Sequence, residues 1–234
     1  MNNNYTNILP LIHQLEQKGL VTRTFRRLDP DRQQSVLNAI LDEAAETGPS
    51  DMNVKHIAER CSVAVGSLYQ YFGNRENLLA FTIELVVTTT VDLFNSYRPY
   101  LAEMPFRDAL QAYIGGGLEW TREQLGFARF FAKAAYQGDP DLSRLVVEPI
   151  ASALTGMMRD MLLAAQKRGE LRENLDLEAT ARVLNTLVIA VSDAQLLPYL
   201  NSYYQLTDEG VNIERSMKAV LSFVESGILL DTKA

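Results

Sequence analysis

The 234-residue chain has a single cysteine, Cys61, and two histidines, His13 and His56. One thiol excludes a disulfide framework within the chain and fits a reducing compartment. One cysteine and two histidines give no metal-ligand spacing, so neither metal nor cofactor is expected. Paired carboxylates, a nucleophile beside a base and a glycine-rich phosphate loop are all missing, which leaves little for an enzyme to work with. The start, MNNNYTNILP, lacks the basic n-region and apolar run of a signal peptide. Apolar stretches are broken by polar residues short of a membrane span. The expectation is a soluble, cytoplasmic protein with no membrane partner. Strand-like alternation, internal repeats and low-complexity tracts are likewise missing, and the chain reads as all-α.

What is present is a large apolar share, 47% of residues, under a formal net charge of −7. That balance opposes non-specific binding to nucleic acid, but its distribution matters more than its sum. Residues 1–28 carry Lys18, Arg23, Arg26 and Arg27 against Glu16 alone, while the rest of the chain is acidic. A basic end on an acidic body suits a protein that meets phosphate over one small surface.

Proline and glycine divide the chain into helices. Residues 5–20 allow an N-terminal helix ending near Gly19. Asp29-Pro30-Asp31 starts a helix over about Arg32–Thr47, stopped by Gly48-Pro49. A long helix is expected over Glu76–Arg98, ended by Pro99 and suited to act as a lever. Pro105 opens the next, to about Leu125; its Gly115-Gly116-Gly117 reads either as close helix packing or a kink, or as room for a ligand. Further helices are expected at Phe127–Tyr136, 142–168, 177–200 and, capped by Thr207-Asp208-Glu209, through about Gly227.

Between Val54 and Leu79 the chain reads VKHIAERCSVAVGSLYQYFGNRENLL. Ile57, Ala58 and Cys61 share one face of a short helix, Leu68 and Phe72 one face of a second, and Val63 plugs the turn between them. Asn53 caps the first helix, and Gly66-Ser67 leaves the start of the second slim. This is the layout of a helix-turn-helix, whose second helix enters the major groove of DNA. Cys61 falls on the apolar face and reads as a core residue. Base edges are read by hydrogen-bonding groups or methyl contacts, so Ser67 and Gln70 carry the polar options while Ala64 and Val65 offer apolar contact. Tyr69 points a hydroxyl outward, as a phosphate contact would; Leu68 and Phe72 pack inward. The run Thr22-Arg23-Thr24-Phe25-Arg26-Arg27 reads either as an arm reaching an adjacent groove or as a solvated linker.

The string IAERCSVAVGSLYQYFGNRENLL closely resembles the signature of TetR-family transcriptional repressors, "IA…GVS.GTLY.YF..KE.L", over about residues 32–80. The resemblance implies an all-α protein with a three-helix DNA-binding domain at residues 29–75, behind a partly basic extension at 1–28. A larger helical ligand-binding and dimerisation domain would follow at 76–230. It implies that Val65, Gly66, Gln70 and Tyr71 approach bases or nearby backbone, and that Ser67, Tyr69 and Arg75 hold phosphates; with Asn53 these form the expected DNA-binding set. The chain departs from the family pattern at Ala64, where serine is commoner, and at Val65, where a basic or polar residue is commoner. Direct base readout is therefore thin.

The second half is rich in aromatics, and the resemblance points to Tyr97, Trp120, Phe127 and Phe131 around a cavity for an apolar or aromatic small-molecule effector. Leu184, Leu187, Val188 and Val191 recur at helical spacing within 177–200. The family pairs two C-terminal helices with their mates, so these residues are expected at a homodimer interface. The function implied is a ligand-responsive regulator, a repressor, bound as a homodimer to a palindromic double-stranded DNA operator. The alternative is a DNA-anchored protein-interaction module without a small-molecule ligand.

Overall fold

The computed structural model describes residues 9–230, so residues 1–8 of the basic extension lie outside the described residues. The expectation of an all-α fold holds: among the described residues there are helices and one isolated bridge, Leu171 with Leu229. In chain order the helices are α1 (Leu9–Gln17), α2 (Arg23–Arg26), α3 (Pro30–Thr47), α4 (Val54–Arg60), α5 (Val65–Phe72), α6 (Arg75–Glu103) and α7 (Phe106–Glu123). They continue with α8 (Leu125–Tyr136), the single turn α9 (Pro140–Leu142), α10 (Glu148–Lys167), α11 (Leu177–Leu196), α12 (Pro198–Tyr204) and α13 (Ile213–Ile228). A π-helical turn, Ser143–Val147, joins α9 to α10.

The chain forms two compact units. The first holds α1–α5, α6 as far as Thr90, and residues 126–149; the second holds residues 91–125 and everything from Ile150 onward. The first unit is built on a ring cluster. Phe25, Phe72 and Phe81 are fully buried, with centroids 5.2 Å apart for Phe25–Phe72 and 5.0 Å for Phe72–Phe81. Tilted rings at such distances add to the area they bury. Ile12 and Leu15 of α1 are also fully buried, so α1 is part of this core. Within the run Thr22–Arg27, residues Arg23–Arg26 form the helix α2, anchored by Phe25.

The second unit has its own core, including Phe106, Leu110, Met158, Met161, Leu162, Leu184, Val191 and Met217. One hydrogen-bonded polar chain runs through it. Tyr113 Oη lies 2.8 Å from Asn185 Oδ1, and Asn185 Nδ2 lies 3.3 Å from Thr155 Oγ1. Both Tyr113 and Asn185 are buried, and burial pushes the Tyr113 phenol far above its ordinary range.

Several sequence expectations are corrected. Pro99 does not end α6 but lies inside it. Proline removes one hydrogen bond from the ladder, and Leu101 beyond it is buried in the second unit, so packing carries the helix on to Glu103. The last helix is capped by Asn212, whose side chain accepts from the Arg215 N–H at 2.9 Å; Asp208 instead accepts from the N–H groups of Gly210 and Val211 and closes a turn. Around Gly115, Gly116 and Gly117 an added Cβ would meet nothing within 4 Å, which removes close helix packing as the reason for them. By length and composition α6 could cross a membrane, against the expectation that apolar stretches fall short of a span. Its Leu78, Phe81, Leu85 and Val86 are buried within the first unit.

Candidate nucleic-acid interface

Helices α3, α4 and α5 form the helix-turn-helix region. Asp29 caps α3, accepting from the Arg32 N–H at 3.0 Å, and Pro30 follows in the first turn. Asn53 caps α4 through its side chain, which accepts from the Lys55 N–H at 2.9 Å. The Asn53 N–H is in turn accepted at 3.1 Å by Glu43 Oε1 of α3. Glu43 is fully buried, and a carboxylate there requires partners. His56 Nδ1 lies 3.2 Å from Oε1 and Arg60 Nε 3.4 Å from Oε2. This one side chain therefore fixes the start of α4 against α3. Sequence reasoning missed Glu43, although an acidic residue among Leu41, Ala44 and Ala45 was the available signal.

The turn after α4 is a Schellman motif. Val63 N–H bonds to Ala58 O at 2.9 Å and Ser62 N–H to Glu59 O at 3.1 Å. The motif demands a left-handed residue, and Ser62 supplies it with φ of 54°, a position glycine occupies more readily. Cys61 is buried beside it, and burial pushes its thiol up.

The turn delivers α5 with Leu68 and Phe72 inward, as their spacing predicts. Ala64, Gly66, Tyr69 and Gln70 are exposed, and Val65 and Ser67 half-buried. A Cβ on Gly66 would meet nothing within 4 Å, so no contact inside the protein explains its missing side chain. Tyr69 is 46% exposed. Tyr71 is a correction: it is only 7% exposed and its ring lies 5.8 Å from that of Phe25. The spacing Leu68–Tyr71–Phe72 puts it on the inward face, and it packs rather than presenting its ring outward. Arg75 is exposed, and its guanidinium is held by Met52 O, at 3.2 Å from Nε, and by Ser50 O, so it also braces the loop ahead of α4. Lys55, in the first turn of α4, is exposed and forms no ion pair among the described residues; no motif in the sequence singles it out.

The residues expected at an effector are not gathered in one unit. Tyr97, 53% exposed, and Trp120, edge-on to Phe94 at 5.5 Å, belong to the second. Phe127, buried, and Phe131, half-buried, belong to the first. The expected dimer residues also divide. Leu184 and Val191 face the core of their own unit, with Val188 packed against it, and Leu187 is half-buried. The open apolar positions on the last long helices are Val183 and Phe223, 57% and 70% exposed. A clustered metal-ligand set is not found among the described residues.

Residues 36–80 match the profile described as bacterial regulatory proteins, tetR family. The chain is similar to the HTH-type transcriptional regulator BetI of Klebsiella pneumoniae (strain 342), with 27% identity over 122 residues, half of this chain and 62% of that relative. The chain thus spans under two thirds of that relative's length. It is also similar to the HTH-type transcriptional regulator PksA of Bacillus subtilis (strain 168), with 22% identity over 86% of this chain and 92% of the relative. Among solved structures, the transcriptional regulator FadR from Bacillus subtilis in complex with stearoyl-CoA shares the fold. Its TM-score is 0.59 at 20% identity, covering 83% of this chain and 98% of that one.

Proposed function

The helix-turn-helix domain of this chain belongs to the tetR family of bacterial regulatory proteins, and from that premise we propose that the whole chain is a ligand-responsive transcriptional regulator, a repressor acting as a homodimer on a palindromic operator. The observation that carries the reading is the outward face of α5. Gly66, Tyr69 and Gln70 are exposed with Ser67 half-buried beside them, and a side chain is missing at Gly66 where the protein itself has room for one. A bare position of this type favours close approach by an outside surface. Gln70 and Ser67 would read base edges, Val65 would offer an apolar contact, and Tyr69 and Asn53 would hold phosphates.

The effector is proposed to be an apolar or aromatic molecule bound in the helical second half. FadR, with the same fold, is seen with stearoyl-CoA, which supports an acyl or comparably apolar ligand. For the homodimer, the supporting surface is the open side of α11 and α13. The exposed stripe Ala219, Ser222, Phe223 and Ser226 carries no charge, and Val183 is exposed on α11. Small and apolar residues on such helices suit close pairing with a second copy.

The deciding experiment is binding of the full chain to fragments of its own genomic neighbourhood over a salt series, with and without Tyr69→Ala. Tight, salt-sensitive, competitor-resistant retention of one fragment, lost in the variant, is the expected result. Retention of none, or of all equally, overturns the reading.

A further inference from the structure

The basic extension has a fixed place beside the reading helix. Thr22, which precedes α2, donates its N–H to Tyr71 O at 2.8 Å and its hydroxyl to Gln70 O at 2.7 Å. These bonds tie the start of α2 to the last turn of α5, where carbonyls would otherwise lack partners. Phe25 locks the other side of α2 into the ring cluster with Tyr71, Phe72 and Phe81. With Phe25 inward, Arg23 and Arg27 stand one helical turn apart and both are exposed.

The other cations of this segment are occupied. Arg26 is paired with Glu16, and Lys18 with Glu84 at 2.8 Å. Neither Arg23 nor Arg27 forms an ion pair among the described residues. Two such guanidinium groups, on a helix bonded to the carbonyl of Gln70, give a fixed positive edge to an otherwise acidic protein. Guanidinium matches phosphate oxygens in charge and in fork geometry.

We infer that α2 is an accessory clamp on the DNA backbone, with Arg23 and Arg27 contacting phosphates that flank the bases faced by α5. The inference rests on the reading of α5 as the DNA-facing helix and extends the contact beyond residues 36–80. Phosphate contacts add affinity without sequence preference and steepen salt dependence. They would compensate for the few hydrogen-bonding groups on α5.

The test uses the full chain and a duplex selected from a randomised pool by the unmodified protein. Arg23→Gln and Arg27→Gln should each make the plot of log affinity against log salt shallower, by roughly 0.9 for each phosphate no longer neutralised per bound protomer. Sequence preference should be unchanged, and Arg23→Lys should retain most of the slope. Lys18→Gln removes the same charge from a paired position and should leave the slope alone. Unchanged slopes in both arginine variants, or an equal change in Lys18→Gln, overturn the clamp while leaving the regulator reading intact. If the unmodified protein selects no duplex at all, the DNA reading itself fails and the clamp with it.

Discussion

Tyr113 and Asn185, 72 positions apart in the chain, meet through a 2.8 Å hydrogen bond buried in the second unit. Tyr113 is bonded to Asn185, and Asn185 also to Thr155, within a core that is mostly apolar. Tyr113→Phe removes the donor and leaves the Asn185 carbonyl oxygen buried. The expected cost is about 1–3 kcal/mol, read as a lower denaturant midpoint. A double variant, Tyr113→Phe with Asn185→Leu, should recover part of that loss, because the buried Asn185 oxygen goes with its donor and only the half-buried Thr155 hydroxyl loses a partner; strictly additive losses would show the pair to be uncoupled.

Ser62 holds a left-handed conformation that the Schellman turn requires. Ser62→Gly should stabilise the first unit by up to about 1 kcal/mol, the relief of the side-chain clash being partly offset by glycine's greater freedom when unfolded. A fall in melting temperature would show that the Ser62 side chain makes a compensating contact.

Gly66→Ala separates stability from binding. The substitution meets no atom of the protein within 4 Å and improves helix propensity, so the fold should gain roughly 1 kcal/mol. Affinity for a retained DNA fragment should fall, since the methyl group intrudes on the close approach. If affinity holds while stability rises, the bare position has no role at DNA.

Gly116→Ala should likewise stabilise by roughly 1 kcal/mol, as its surroundings are open. Gly156→Ala should gain less. Its new Cβ would lie 3.1 Å from Arg98 Cζ, pushing aside the guanidinium that meets Asp160 at 2.7 Å. Equal gains in thermal denaturation would show that Arg98 moves without losing Asp160.

Acid should weaken the first unit through Asp139. The Ser50 hydroxyl, 2.5 Å away, and the N–H groups of Leu142 and Asp141 hold its carboxyl below the ordinary range. A depressed folded-state value means that the contribution is complete above the unfolded value of about 3.9. It is lost as pH falls through the lower, folded value. Thermal stability of Asp139→Asn should therefore depend less on pH in that acidic window; an identical acid profile would show that other carboxylates dominate.

The helix-turn-helix region was largely legible because it is local. Asp29 and Asn53 cap where their residue type and position predict, and Leu68 and Phe72 face inward by spacing alone. Tyr71 shares that spacing, and its burial was available from the same periodicity; the family resemblance pulled the reading outward. Arg75 was not legible, because its partners are backbone carbonyls more than twenty positions earlier, and no residue type announces a carbonyl. The place of α2 was hidden for the same reason, since Thr22 bonds to carbonyls 48 and 49 positions away. Pro99 misled because local propensity yields to packing on either side of it. Leu184 and Val191 were read toward a partner because a buried stripe looks the same in sequence whichever neighbour covers it.

The ring cluster also sets an order of events during synthesis. The apolar faces of α1 and α2 leave the ribosome before α5 and α6, yet the rings packed on Phe25 are those of Tyr71, Phe72 and Phe81. Pairings this far apart in the chain form late, because the intervening loop must close before they gain anything. These two helices therefore wait, half-made and greasy, until residue 81 is clear of the exit tunnel. Through that interval their apolar faces are open to a chaperone.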